Sequence, residues 1–209
     1  MTTRSVTVSV ALLAIVVAAC STTGPGGSAP GTAPVDGSMT PPSAADLDQA
    51  FIDMMVPHHQ AAIEMAKVAQ ERATRDELRT LADEIISAQD AEISQLREWR
   101  QAWFGSSDTP GMDAMPLLPG MDMPGMDGMS MGGMMDMTVA IEALRTAEPF
   151  DRAFIEAMTV HHESAIAAAG IIAGSTDRAE LKQVAAEIIE AQQREIDQMQ
   201  GWLAAWYPS

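Results

Sequence analysis

The chain has 209 residues, a formal net charge of −17, four histidines, one cysteine and 4% aromatic residues. Such an acidic balance excludes the basic footprint of a nucleic-acid-binding protein and works against anionic lipid surfaces; it favours cations in a general way, and also serves simply as a soluble surface. A lone cysteine leaves no internal disulfide, so stability must come from packing or from a bound ligand.

Residues 1–19 carry one positive charge, Arg4, followed by an apolar run over 6–18 that is too short to span a membrane comfortably and reads as a signal peptide. Cys20 comes directly after Val17-Ala18-Ala19, an order that resembles the bacterial lipoprotein lipobox, in which the cysteine becomes the acylated first residue. The expectation is an exported protein lipidated at Cys20 and tethered to the extracytoplasmic face of a bacterial membrane. The alternative is an ordinary secretory cleavage nearby. Residues 20–42, rich in Gly, Pro, Ser and Thr, predict a disordered tether.

Beyond the tether the sequence repeats. Residues 48–104 align without a gap on 151–207, with about 25 of the 57 positions identical, the mark of a duplicated structural unit. Each copy reads as a helical hairpin, over 43–105 and 138–209. Ser43 and Asp46 supply an N-cap signal, and apolar positions Phe51, Met55, Ala62, Met65 and Ala69 recur at helical steps to about residue 72. Pro57 should kink this first helix. Thr74 with Glu77 predicts a capping box for a second helix striped by Leu78, Leu81, Ile85, Ala88, Leu96, Trp99 and Trp103 and ended by Gly105. In the second copy Asp177 and Glu180 take the cap positions, before Leu181, Val184, Ile188, Ala191, Met199, Trp202 and Trp206. Neither hairpin can cover its own apolar face. The predicted fold is therefore all-α, a four-helix bundle of two hairpins packed as one domain with approximate twofold symmetry.

All four histidines fall in one repeated motif, Met55-Val56-Pro57-His58-His59 and Met158-Thr159-Val160-His161-His162. At about 100° per residue both histidines of a pair flank the buried stripe, and Met55 or Met158 stands three and four residues before them on the same face. Methionine with two histidines is a workable half-site for a soft metal. On the antiparallel partner helix, Gln89 and Glu92 fall level with the first pair, and Gln192 and Glu195 with the second. Polar residues on a face that should be buried need partners; the carboxylates would hold the outer ring nitrogens or bind metal themselves, with Met54 and Met65 as further nearby thioethers. A purely structural network of histidine, glutamate and glutamine is the competing explanation.

Between the hairpins, residues 106–137 hold ten methionines, Met112, Met115, Met121, Met123, Met126, Met129, Met131, Met134, Met135 and Met137, among Gly, Asp and Pro with no helical or strand period. Thioethers in such a flexible linker, without evident packing partners, point to a soft ion, with Cu(I) favoured and Cu(II) possible for the chain as a whole. A sacrificial store of oxidisable methionine is the alternative.

The run Met-Val-Pro-His-His-Gln-Ala-Ala-Ile-Glu-Met-Ala, with Ala88-Gln89-x-x-Glu92-Ile93 and the Trp99 and Trp103 pair downstream, resembles the bacterial "domain of unknown function 305" family over about 45–207. The resemblance implies a ferritin-like helical bundle in exported proteins, some of them associated with copper binding and copper tolerance. The second copy departs from the motif at Val160 and Ala168, which predicts a weaker or differently shaped half. A di-iron oxidase, the other chemistry of that superfamily, needs Glu-x-x-His where this chain has Met55 and Met158, and so stays a minor alternative. The expectation is a non-enzymatic copper protein of the cell envelope, storing copper or passing it between a donor and an acceptor protein, whose interior binding weakens as pH falls through the histidine range.

Overall fold

The computed structural model describes residues 42–116, 118 and 137–208. Five α-helices account for most of them: α1 (Ala44–Arg72), α2 (Asp76–Phe104), α3 (Met137–Thr146), α4 (Phe150–Ser175) and α5 (Ala179–Trp206), with one turn of 3-10 helix at Met112–Ala114. No strand occurs among the described residues. Helices α1 and α2 form one hairpin, α4 and α5 the other, and the hairpins meet along α1 and α4.

The first helix begins as its sequence requires. Ser43 Oγ accepts from the Asp46 amide at 3.2 Å while Asp46 Oδ2 accepts from the Ser43 amide at 3.0 Å, a reciprocal box that satisfies two otherwise orphaned donors. The helix runs unbroken through Pro57, which is itself buried, so the proline does not end it. At the far end of α2, Gly105 adopts φ 82° and donates its amide to Gln101, the left-handed cap that glycine takes without strain.

The expected caps of the second helices do not form. Helix α2 starts one residue after Arg75 with no side-chain cap, because Thr74 is engaged across the bundle, where its amide (2.8 Å) and hydroxyl both donate to Asp151. Helix α5 likewise starts after Arg178, uncapped by Asp177; Thr176 Oγ1 instead accepts from the Arg178 amide. The tertiary bond has won over the local one in the first hairpin.

These turns lock the hairpins together with twofold logic. Arg178 pairs with Asp48 at 3.1 Å and lies 4.0 Å over Trp103; its equivalent Arg75 stands 3.8 Å from Asp151 and 4.2 Å over Trp206. The start of α1 thus meets the end of α4, and the start of α4 the end of α1, so the two helices are antiparallel. Each guanidinium sits over an indole already stacked on a second one, Trp99 on Trp103 and Trp202 on Trp206, a geometry worth about 0.5–1 kcal/mol per cation–π contact at half-exposed sites.

The core runs the length of α1, where Phe51, Ile52, Met55, Ala62, Ala66 and Ala69 are fully buried, and it continues through Phe154, Ile155, Met158, Ala165, Ala168 and Ala169 of α4. Burying each of the larger apolar side chains contributes roughly 1.5–3 kcal/mol. The stripe of α2 differs from expectation at one place, Ala88, which faces solvent; Gln89, expected on the buried face, lies inside between Ile85 and Ile93. Gln192 does the same in α5, with Ala191 only half-buried.

Helix α3 is an element the sequence pattern did not predict, and it breaks the symmetry. Together with the 3-10 turn it packs on α1, and Arg72 ties the end of α1 to it through Leu144 O at 2.6 Å. Val56, Pro57, Ile63 and Val68 are therefore buried, whereas their counterparts on α4, Thr159, Val160, Ile166 and Ile171, are half-buried or exposed. The expected absence of packing partners for the linker methionines is also corrected at its described ends. Met115 and Met137 are buried with Leu118, and Met112 packs against the same core.

Candidate metal centre

The four histidines lie inside the bundle, each no more than 4% exposed. His58 and His161, equivalent residues of the two repeats, face each other with ring centroids 3.8 Å apart and planes tilted by 40°. His59 lies 6.3 Å from His58, and His162 lies 6.2 Å from His161. The order across the interior is His59, His58, His161, His162, centred on the pseudo-twofold axis.

Oxygen atoms flank this row. On the outer side of each half a partly exposed carboxylate reaches a fully buried ring: Glu92 Oε2 lies 2.6 Å from His59 Nε2, and Glu195 Oε2 lies 2.6 Å from His162 Nε2. The second contact is a hydrogen bond; the first has the same length but stands off the line of an N–H···O bond. At the centre His58 Nε2 lies 2.7 Å from Ser164 Oγ, and that hydroxyl donates to the His161 carbonyl oxygen at 2.7 Å. Ser164 was not anticipated from the sequence. Its signal was a polar residue three positions after His161, on the same inward face, where the first repeat has Ala61.

Burial dominates the electrostatics here. It pushes the His58 and His161 pKa values well below 6.5, and the neighbouring imidazoles lower them further, because a second positive charge in the same interior is repelled. Both rings are consequently neutral at neutral pH and able to act as ligands.

Several polar atoms in this interior lack a protein partner. They include Nδ1 of all four histidines, Nε2 of His161, and both amide atoms of Gln89 and Gln192. An unpaired buried polar group costs about 1–3 kcal/mol, so these atoms call for a ligand, an ion or a buried water. Neutral imidazoles with unpaired Nδ1 lone pairs along one interior row can each donate to a cation. Among the described residues, no three His, Cys, Asp or Glu side chains converge as a ready-made site, so an ion held here needs donors of another kind. Met55 and Met158, both fully buried, stand three and four residues before the histidines of their helices, and Met54 and Met65 are buried nearby on α1. Met121, Met123, Met126, Met129, Met131, Met134, Met135 and Cys20 lie outside the described residues.

An internally duplicated, all-helical bundle of the ferritin-like kind, with a row of neutral imidazoles across its axis, is the class that fold and site define. The chain belongs to the DUF305 family, a domain of unknown function, whose sequence profile matches residues 48–207. Among solved structures, CopM in its Cu(I)-bound form is 36% identical with a TM-score of 0.61, and in its Cu(II)-bound form 40% identical with a TM-score of 0.63; each comparison covers 77% of this chain and 97% of that one. CopM has been solved in apo and silver-bound forms as well. A DUF305 protein from Streptomyces coelicolor is 25% identical with a TM-score of 0.62, over 78% of this chain and 93% of that one. No curated protein matches the chain.

Proposed function

We propose that this protein takes copper into the interior of its bundle and sequesters it, or hands it on, at the cell envelope. The observation that carries the reading is the set of buried, unpartnered imidazole nitrogens at the pseudo-twofold axis, on a fold shared with a protein solved in Cu(I)-bound and Cu(II)-bound forms. Met55, His58, His59, Met158, His161 and His162 are the interior ligands of this reading. Imidazole with thioether selects a soft ion, so Cu(I) is the favoured state. Copper is cargo here, and no reaction is assigned to the protein.

The methionines from Met121 to Met135 form a second, looser class of Cu(I) ligand, suited to capture before the interior site is reached. The apolar segment over 6–18 and Cys20 support export and lipid anchoring, and the Streptomyces relative is itself named as a candidate for secretion. No helix among the described residues is long and apolar enough to cross a membrane.

Titrating the full chain with Cu(I) without oxygen, and with Cu(II) in air, against a competing chelator tests the reading, with the His58, His59, His161 and His162 to Ala variant beside it. Tight binding by the wild type that the folded variant loses is the expected result. A folded wild type that fails to compete with the chelator in either state overturns it.

A further inference from the structure

Hydrogen bonds inside the bundle decide which nitrogen of each ring is left for a ligand. A serine hydroxyl has one hydrogen to give. Ser164 donates it to the His161 carbonyl oxygen at 2.7 Å, within its own helix. Toward His58, also at 2.7 Å, the same oxygen is then an acceptor, so His58 Nε2 must carry the hydrogen. His58 Nδ1 keeps its lone pair, buried and without a protein partner.

His162 reaches the same state by a different route. The Glu195 carboxylate accepts from its Nε2 at 2.6 Å, and its Nδ1 is again buried and unpartnered. His59 repeats the arrangement against Glu92 with a less well-aligned contact. His161 has no side-chain oxygen of this kind, because Ala61 stands where symmetry would place a second serine; its ring faces the backbone of His58, with no well-aligned bond at either nitrogen.

We infer that His58, His59 and His162 each offer copper Nδ1, not all three to one ion, and that Ser164, Glu92 and Glu195 are positioning residues that hold these rings in the Nε2–H tautomer. The inference rests on the copper reading above and specifies the atoms it uses. Nδ1 is the ring nitrogen nearer the backbone, so an ion bound there lies close to the helix that carries the ring. That position favours a second donor on the same helix, three or four residues upstream, where Met55 and Met158 stand. His161, which no side-chain oxygen fixes, is left out of this assignment.

Long-range proton–nitrogen NMR correlation on the full chain, labelled with ¹⁵N at histidine, tests this with Ag(I) as the probe. Ag(I) is a soft, diamagnetic stand-in for Cu(I) whose nuclear spin splits the nitrogen it binds. Before metal is added, His58 and His162 should each show one tautomer, with hydrogen on Nε2. On adding one equivalent of Ag(I), the splitting and the largest shift should fall on Nδ1. Ser164→Ala should release His58 into a mixture of tautomers and weaken Ag(I) binding about 10–100-fold, and Ser164→Thr should restore both.

Splitting on Nε2 of His58 and His162 overturns the inference but leaves the copper site standing. Bound Ag(I) that perturbs no histidine nitrogen overturns both. A folded Ser164→Ala variant with the wild-type tautomer and affinity removes the serine's role. The wild-type spectra decide the choice of nitrogen even if that variant does not fold.

Discussion

His58 and His161 stand face to face at 3.8 Å although 103 positions separate them in the chain, and they are the same residue of two copies of one unit. Equivalent residues in a duplicated fold meet only at the symmetry axis. The copies therefore do not build two separate half-sites at opposite ends of the bundle. They build one interior row, with His59 and Glu92 at one side and His162 and Glu195 at the other.

That burial makes metal-free stability depend on pH. In the unfolded chain His58 and His161 titrate near 6.5, whereas folding depresses both pKa values, chiefly through desolvation. Below that pH the unfolded state takes up protons that the folded state refuses. Their contribution is full above about 6.5 and falls as pH drops below it, by up to about 1.4 kcal/mol per pH unit for each imidazole. Urea midpoints of the metal-free protein should be lower at about pH 5 than at about pH 7.5, and a His58→Ala, His161→Ala variant should show a smaller drop. Equal wild-type midpoints would contradict neutral buried rings. On the copper reading, the same depression puts proton competition at these two rings below the ordinary histidine range.

Asp48 and Asp151 are equivalent in sequence but not in their bonds. Asp151 accepts from the Thr74 amide and hydroxyl and faces Arg75, whereas Asp48 pairs with Arg178 and leaves Oδ1 unpartnered. Asp151→Ala should cost about 3 kcal/mol and Asp48→Ala about 1 kcal/mol, since hydrogen bonds to a buried charge are worth more than one contact with a half-exposed cation. Equal losses in urea denaturation would show that the Thr74 contacts carry no weight.

The linker methionines should separate into two kinds. Met115 and Met137 are buried, so Met137→Ala should destabilise by about 2 kcal/mol while Met137→Leu costs less than about 1.5 kcal/mol. Changing Met121, Met123, Met126, Met129, Met131, Met134 and Met135 together to Leu should leave the thermal midpoint nearly unchanged. Cu(I) stoichiometry should fall in that variant with the tightest site retained. Loss of all Cu(I) binding would place the whole site in the linker.

Most of the bundle is legible in the sequence because helical period, the Ser43 box and Gly105 act locally, and duplication repeats their message. The level placement of Glu92 against His59 also follows from the helical rise alone. The parts that do not follow are tertiary. Thr74 and Glu77 spell a capping box, yet the hydroxyl goes to Asp151 because a buried carboxylate across the bundle needs the donor more. Ala88 fits the apolar stripe yet faces solvent, while Gln89, which the helical period already puts on the buried face, lies inside. Helix α3 is ten residues long and follows a stretch with no period, so nothing local announced that it would cover α1 and leave Val160 of α4 exposed.

X-ray absorption at the copper edge, on the full chain loaded with one equivalent of Cu(I), addresses the central claim most directly. Interior binding predicts imidazole nitrogen scatterers together with sulfur, and loss of the nitrogen signal in the four-histidine alanine variant. A first shell of sulfur alone in the wild type would contradict it.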